Sequence, residues 1–472
     1  MNIAGRKDEF SLIKRLLEKD ASSFLAVYGR RRIGKTYLIR QACAKHMVFE
    51  CSGWHERSFS QQLENFHSSL SEAGNIISPA PQTWLKAFTQ LTIYIQALKG
   101  KKKKVIFIDE IAWFDTPRSG FLAALDNFWN QFCSKRNDIL LVICGSAASW
   151  ILNKISKNRG GLHNRITHYI QLQSFTLGET TEYLEMQGIK LLPKDIALLY
   201  MCTGGVPFYL KDLARGKSVP QLLNDLFFTG QASLKKEFSN LYASLFKNYH
   251  LHEKVVEMLA AKNKGLLRSE IIEATGFGSG GGLSLILQEL VDCGFVKQMA
   301  DFRKPKADSI YRLVDEYSIF YYKFLAAKRS PDNWQQLTGK QNFKIWAGYA
   351  FENLCLKHVF QIKKSLGIHG IISRDYAWSI KGTEEQNGAQ IDLIIDRDDN
   401  CINLMEMKFY ESPIAITKQY GEQLREKAVV FRTATKTRKN VFITLISVYG
   451  TVKNQYYLNA VTNELLIDDL FT

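Results

Sequence analysis

None of the eight cysteines (43, 51, 133, 144, 202, 293, 355 and 401) forms a C-x-x-C pair. Thiols scattered in this way exclude a zinc knuckle and a disulfide framework, and they fit a reducing cytoplasm. No H-E-x-x-H pattern occurs among the nine histidines. His250 and His252 stand two apart and read as a solvated pair rather than as metal ligands. Also missing is an apolar run of the about 20 residues that a bilayer crossing needs. The first twenty residues carry charges where a secretion signal has its apolar centre. Acid is in short supply. The 46 Asp and Glu face 62 Lys and Arg, a formal charge of +16, which suits either a polyanionic partner or solubility alone. The basic run Lys101–Lys104 stands before an apolar stretch and reads as a solvated strand entry, not a binding patch. What remains is ordinary globular material, 46% hydrophobic and 23% charged over 472 residues. A chain of that length holds roughly two to four domains, each able to bury its own core.

The most informative stretch is Gly29-Arg30-Arg31-Arg32-Ile33-Gly34-Lys35-Thr36. It fits the phosphate-loop pattern G-x-x-x-x-G-K-[ST] at every fixed position. Phe24 to Tyr28 before it is a short apolar run of strand type, and Tyr37 to Ala42 after it reads as a helix. Backbone amides from Gly29 to Tyr37 would close around a polyphosphate at a helix N-terminus, where partial positive charge already favours an anion. Lys35 would reach the β- and γ-phosphates, and Thr36 would place its hydroxyl on Mg²⁺. About 70 residues later, Val105-Ile106-Phe107-Ile108-Asp109-Glu110 predicts a strand buried on both faces that ends in two carboxylates. Asp109 would hold Mg²⁺ through water, and Glu110 would polarise the attacking water. Ile139 to Cys144 predicts a further buried strand, followed by Gly145-Ser146. Ser146 would sense the γ-phosphate, or it simply closes the strand in a turn. Beyond lies the basic loop Arg159 to Arg165, where Arg165 would stabilise charge on the γ-phosphate, in cis or from a neighbouring subunit, or is merely solvated.

Together these stretches resemble the archaeal-type ATPases of the AAA+/STAND class. Four carry the match: Gly5-Arg6 with the acidic pair that follows; the phosphate loop with its arginines; Cys144 to Trp150; and Thr203-Gly204-Gly205-Val206-Pro207-Phe208-Tyr209-Leu210. The resemblance implies that the last is a Gly-x-Pro element in a helical lid, with Pro207 close to the nucleotide. Its local sense follows from chemistry, since two glycines end one helix and a proline begins the next. Leu162-His163-Asn164 departs from the Pro-Leu-Tyr-Gly that relatives tend to carry in the Arg159–Arg165 loop.

After Leu251 the pattern changes to short helices over Val255–Ala261, Arg268–Ala274 and Gly282–Cys293, then strands Phe295–Met299 and Ser309–Leu313. Three helices and a hairpin predict a winged helix. Between Gly276 and Val296 there is no Lys or Arg, whereas Glu289 and Asp292 are present, which is poor equipment for reading DNA. Basic residues stand instead in the wing, at Lys297, Arg303, Lys304 and Lys306, for non-specific backbone contact or as part of a structural arm.

The C-terminal third predicts an aromatic-rich helix from Asp315 to Ala327, a long helix from Phe343 to Ile362, and a hairpin of Gln390–Asp396 with Cys401–Lys408. Glu406 and Lys408 are two apart, so both share one face, and pairing across the turn brings Asp392 near Glu406. This resembles the PD-(D/E)xK nuclease core. By that resemblance Asp392 and Glu406 would hold Mg²⁺ or Mn²⁺, Lys408 would be the catalytic lysine, and Glu352 would complete the acidic set. Lys436 to Asn440 would face phosphate or solvent.

The expected architecture is multidomain α/β: a P-loop ATPase core over 1–175 with a parallel sheet, a helical lid over 176–248, a winged helix over 249–315 and a nuclease-like α/β domain over 316–472. The expected activity is ATP hydrolysis that controls the winged helix and nuclease-like parts, acting on DNA or other nucleic acid, with an oligomer or partner protein compatible. The alternative is a STAND-type signalling switch or scaffold whose nuclease-fold domain binds a partner and cuts nothing. A transcription regulator working through the winged helix ranks lower, because its third helix lacks basic residues.

Overall fold

The computed structural model describes residues 3–75, 78–100, 102–146, 150–152, 165–230, 232–246, 248–278, 280–302, 309–326, 331–382 and 388–472. The chain divides into two compact units, Met1–Ser174 and Phe175–Thr472.

In the first unit, helix α1 (Lys7–Glu18), strand β1 (Ser23–Tyr28), helix α2 (Lys35–Cys43), strand β2 (Met47–Ser52), helices α3 (Phe59–Gly74) and α4 (Trp84–Ala97), strand β3 (Lys104–Asp109), helix α5 (Phe121–Gln131) and strands β4 (Ile139–Gly145) and β5 (His168–Gln171) follow in order. The strands form one sheet in the order β2-β3-β4-β1-β5, parallel throughout. β1, β3 and β4 are buried at every residue. Such strands need cover on both faces, which explains unbroken apolar runs such as Ile106 to Ile108. On one face Leu25, Val27, Val105 and Leu140 pack with Ile13 and Leu16 of α1 and Leu38 and Ile39 of α2. An aromatic cluster in which Trp84 meets Phe66, Phe114 and Phe121 edge-on packs in the same unit. β4 lies between β1 and β3, so the carboxyl ends of all three open on one crevice, where open α/β sheets bind ligands.

The lysine run departs from expectation. Lys101 is outside the described residues, but Lys103 and Lys104 are buried. Lys103 Nζ donates to the Lys19, Ala21 and Asn137 carbonyls, and Lys104 pairs with Asp138 at 2.6 Å. Both close the amino edge of the sheet, because a buried ammonium must find partners.

The second unit begins with helices Leu177–Met186, Pro193–Thr203, Pro207–Leu210, Val219–Phe227 and Ser233–Leu241. Gly204 ends the second of these in the left-handed region and Pro207 starts the third, as the sequence predicts. Helices Tyr249–Ala261, Arg268–Thr275 and Gly281–Asp292 then accompany a three-stranded antiparallel sheet in the order β6-β8-β7, made of β6 (Leu266–Leu267), β7 (Val296–Ala300) and β8 (Ser309–Leu313). His252 is no solvated residue. It is buried, and its Nε2 lies 2.7 Å from Glu289 of the third helix, so that acid faces inward.

The C-terminal sheet runs β15-β13-β11-β10-β9, from β9 (Ser373–Ile380), β10 (Ala389–Arg397), β11 (Cys401–Lys408), β13 (Asn440–Ser447) and β15 (Asn463–Leu466), with β12 (Ile414–Ala415) and β14 (Thr451–Val452) paired apart. β10 and β11 form the expected antiparallel hairpin. Helix Lys418–Thr435 makes the crossover that lets β11 and β13 run parallel. Two helices differ from expectation. Asp315 caps Glu316–Phe320, which continues as a π-helical turn, Tyr321–Leu325. The long helix is two, Gln341–Lys357 and Val359–Ser365, broken where His358 leaves helical geometry at φ −107°.

Candidate functional site

The loop after β1 is shaped by glycine. Gly29 has φ 144°, and a Cβ there would strike the Leu172 carbonyl and come within 2.9 Å of Ile33 Cδ1. Arg6, buried beside the loop, donates from Nη2 to the Ile33 carbonyl at 3.3 Å and to the Gln173 carbonyl at 2.5 Å. Of the loop's arginines, Arg30 is buried and Arg31 points to solvent; Tyr37 is exposed beyond them.

Lys35 is buried at the start of α2, and its ammonium is fully engaged. Nζ donates to the Gly29 carbonyl at 3.0 Å, to the Arg30 carbonyl at 2.9 Å and to Ser146 Oγ at 3.1 Å. Thr36 Oγ1 donates to Asp109 Oδ2 at 2.7 Å, while Asp109 Oδ1 accepts from the Glu110 amide at 2.9 Å. Glu110 sits in the left-handed region at φ 44°, which turns its side chain toward β4. There Ser146 Oγ donates to one Glu110 oxygen at 2.6 Å and the Ser146 amide to the other at 3.2 Å. The carboxyl ends of β1, β3 and β4 thus carry one connected set, from loop carbonyls through Lys35 and Ser146 to Glu110, with Thr36 and Asp109 beside it. These side chains suit a triphosphate: an ammonium where phosphate oxygens arrive, a hydroxyl paired with a carboxylate where a magnesium ion would sit, and a second carboxylate aimed across the crevice.

Other predicted residues are not brought into this set. Arg165 is exposed just before β5, and 159–164 lie outside the described residues, as do 147–149. Pro207 belongs to the second unit. Arg6 was visible only as part of a resemblance; its hold on the loop carbonyl depends on α1 packing and has no local signature.

In the second unit, Glu352, Asp392, Glu406 and Lys408 line one cavity of about 1170 Å³. Lys408 Nζ lies 2.9 Å from Glu406, and the hairpin register Leu393↔Met405 leads toward Asp392 and Glu406. Every carboxylate already has a cationic partner. Arg312 of β8 contacts Glu352 at 2.9 Å and Asp392 at 3.2 Å. Lys427 reaches Glu406 at 2.7 Å, and the Tyr420 hydroxyl donates to it at 3.2 Å. Neither Arg312 nor Lys427 was signalled by the sequence. Burial and then the Asp392 charge push the Glu352 carboxyl up to about 7, against the pull of Arg312. Burial also works to raise Glu406, but Lys427 and Lys408 hold it below the ordinary carboxylate value. Among the described residues, no three His, Cys, Asp or Glu side chains gather closely enough to hold a metal ion. As they stand, these residues do not fit one.

The basic residues expected to face nucleic acid are partly turned inward. Lys297 donates to the Leu356 carbonyl at 2.9 Å, and burial lowers its pKa. Lys439 donates to Asp396 and to the Arg397 carbonyl, both at 2.6 Å. Arg303, Lys304 and Lys306 lie outside the described residues. Among the described residues no helix is long and apolar enough to cross a membrane.

Residues 3–213 match the family model of an ATPase domain predominantly from Archaea. Over 439 residues the chain is 21% identical to an uncharacterized protein of Methanocaldococcus jannaschii, covering 90% of this chain and 91% of that one. The Walker-type ATPase of Pyrococcus abyssi superposes with a TM-score of 0.50 at 14% identity, over 68% of this chain and 96% of that chain. The ORC2 protein of Aeropyrum pernix in its ADPNP–ADP complexes gives a TM-score of 0.42 at 16% identity, over 68% and 93%. Residues 3–213 are thus similar to an archaeal-type ATPase domain, and the superposition on the Pyrococcus protein shows a like fold.

Proposed function

We propose that the chain is an ATP-driven switch in which hydrolysis at the crevice above β1, β3 and β4 controls a winged helix over 249–315 and a nuclease-like domain over 316–472, with nucleic acid as the target. The observation that carries this reading is the Lys35 ammonium, held by the Gly29 and Arg30 carbonyls and by Ser146. A γ-phosphate that takes over this ammonium draws it from Ser146, whose hydroxyl and amide still hold Glu110. Amides of Gly29 to Tyr37 cradle the phosphates, Glu110 positions and polarises the attacking water, and Arg165 offers charge for the γ-phosphate. Thr36 and Asp109 hold the magnesium, whose chemistry is to neutralise the phosphate oxygens. The helices of 176–248 form the lid, and Pro207 shapes its nucleotide side. The proposed domain boundaries lie at 175, 248 and 315.

ATP binding and turnover test the core of this reading. Lys35→Ala should abolish ATP binding in equilibrium dialysis. Glu110→Gln should keep binding while lowering turnover by about 10²- to 10⁴-fold, the scale of a lost general base. ATP bound by Lys35→Ala as tightly as by the parent would overturn the assignment.

A second reading, the STAND-type scaffold with a non-cutting nuclease-fold domain, is favoured by the cations on Glu352, Asp392 and Glu406. Mg²⁺- or Mn²⁺-dependent DNA cleavage separates the two. The switch-with-nuclease reading requires cleavage that Asp392→Ala and Glu406→Ala abolish.

A further inference from the structure

We propose that Arg312 is a built-in counter-cation for the C-terminal pocket, occupying the place between Glu352 and Asp392 that a divalent ion would need, so that the pocket takes no metal while the guanidinium is in place. This rests on reading 316–472 as nuclease-like.

The guanidinium comes from a different part of the fold than the acids it joins. Arg312 stands on β8, Glu352 on helix Gln341–Lys357 and Asp392 on β10. Only 2% of the Arg312 side chain is exposed. Nη2 meets Glu352 Oε2 at 2.9 Å and Nη1 meets Asp392 Oδ1 at 3.2 Å, one contact per carboxylate, with Gln390 Nε2 also on Asp392 Oδ1 at 3.1 Å. Mg²⁺ and Mn²⁺ are hard cations bound through oxygen at about 2.0–2.6 Å. One oxygen of each carboxylate is already committed to the guanidinium.

Stability alone is a weak reason for such a residue. Arg312 Nε is buried and has no hydrogen-bond partner among the described residues. A buried N–H left unmade is costly, and buried ion pairs are often replaced by apolar side chains at no loss. A role in specifying one arrangement of two is the better-attested use of a buried charge.

The sheet that carries Arg312 meets the C-terminal domain through polar contacts and through Phe302, whose ring packs against Tyr376 and Phe431. Lys297, opposite Arg312 in the β7–β8 register, donates to the Leu356 carbonyl at 2.9 Å. Asn353 Nδ2 donates to the Leu313 carbonyl at 3.2 Å, and the Phe302 amide donates to the Ala377 carbonyl at 3.1 Å. The three carboxylates face the three cations Arg312, Lys408 and Lys427. Removing the guanidinium takes one positive charge from the acids, in a cavity roomy enough for a hydrated cation.

Mn²⁺ titration of nucleotide-free, full-length protein, followed by electron paramagnetic resonance, tests the proposal. Arg312→Met should create a Mn²⁺ site at least about tenfold tighter than anything in the parent, and adding Asp392→Asn should remove it. If Arg312→Met does not fold, Arg312→Gln, which keeps a hydrogen bond without the charge, must show the same gain. A folded variant that binds Mn²⁺ no better than the parent overturns the clamp, as does a parent that already binds Mn²⁺ in an Asp392-dependent way. DNA cleavage is read separately. A new Mn²⁺ site that cuts nothing supports the clamp and overturns the nuclease reading instead.

Discussion

Gly205 has φ 64°, and a Cβ placed on it would lie 2.5 Å from the Phe175 carbonyl oxygen and against the Tyr200 ring. Alanine there meets both a backbone region that L-residues avoid and a wall that cannot yield. Gly205→Ala should therefore lose roughly 1–3 kcal/mol of stability, measurable as a lower urea midpoint; an unchanged midpoint would show that the turn relaxes. At this scale the sequence speaks where a covalent spacing fixes the geometry. Lys35, Thr36 and the two glycines of the phosphate loop are bound to one short stretch, and Asp109 follows from the end of a strand. Arg312 and Lys427 had no such voice. Their partners are 40, 80 and 21 residues away, so only the assembled sheet shows that they meet. Ser146 falls between, since its place at the end of β4 was legible but its link from Lys35 to Glu110 was not.

The break at His358 belongs to the scale of elements. Apolar spacing predicts one helix through to Ile362, and the periodicity is real on both sides. The side chain ends the first helix and serves another. Nδ1 lies 2.7 Å from the Leu354 carbonyl and Nε2 accepts from the Leu177 amide at 2.9 Å, which is a first-turn donor of helix Leu177–Met186 with no partner of its own in that helix. An acceptor at Nε2 requires the neutral ring, and burial lowers the pKa from 6.5 to about 4. The folded value lies below the unfolded one, so the contribution is complete above pH 6.5 and is lost as pH falls toward 4. Up to about 3 kcal/mol should disappear across that interval. Urea titrations from pH 7 to 4 should show the loss, and His358→Gln should flatten it. An equal slope in the variant would assign the acid sensitivity elsewhere. No periodicity argument finds this residue, because what breaks the helix is a donor 181 positions earlier.

For the whole molecule, the two units follow two kinds of sequence signal. The parallel sheet of the first was legible because strands buried on both faces are apolar throughout, although its strand order was not. The C-terminal sheet was legible only as its central hairpin; β9, with charged and polar residues such as Arg374 and Asp375 along it, carries no apolar run to reveal it. The net charge of +16 is a property of the entire surface, yet Lys103, Lys104, Lys297 and Arg312 spend theirs inside. If the remainder neutralises phosphates, the logarithm of DNA affinity should fall with the logarithm of salt by about 0.9 per phosphate contacted on a duplex. A slope near zero in a fluorescence-anisotropy titration would remove nucleic acid as the partner of that charge. The thiols, finally, leave the molecule with a single convenient handle. Cys401 alone is partly exposed while the other seven are buried, and burial drives those of Cys43 and Cys51 up to about 12. A maleimide dye offered to the folded chain at neutral pH would thus settle where β11 begins, on the strand that also bears Glu406 and Lys408, giving a fluorescent reporter of that strand without any engineered cysteine.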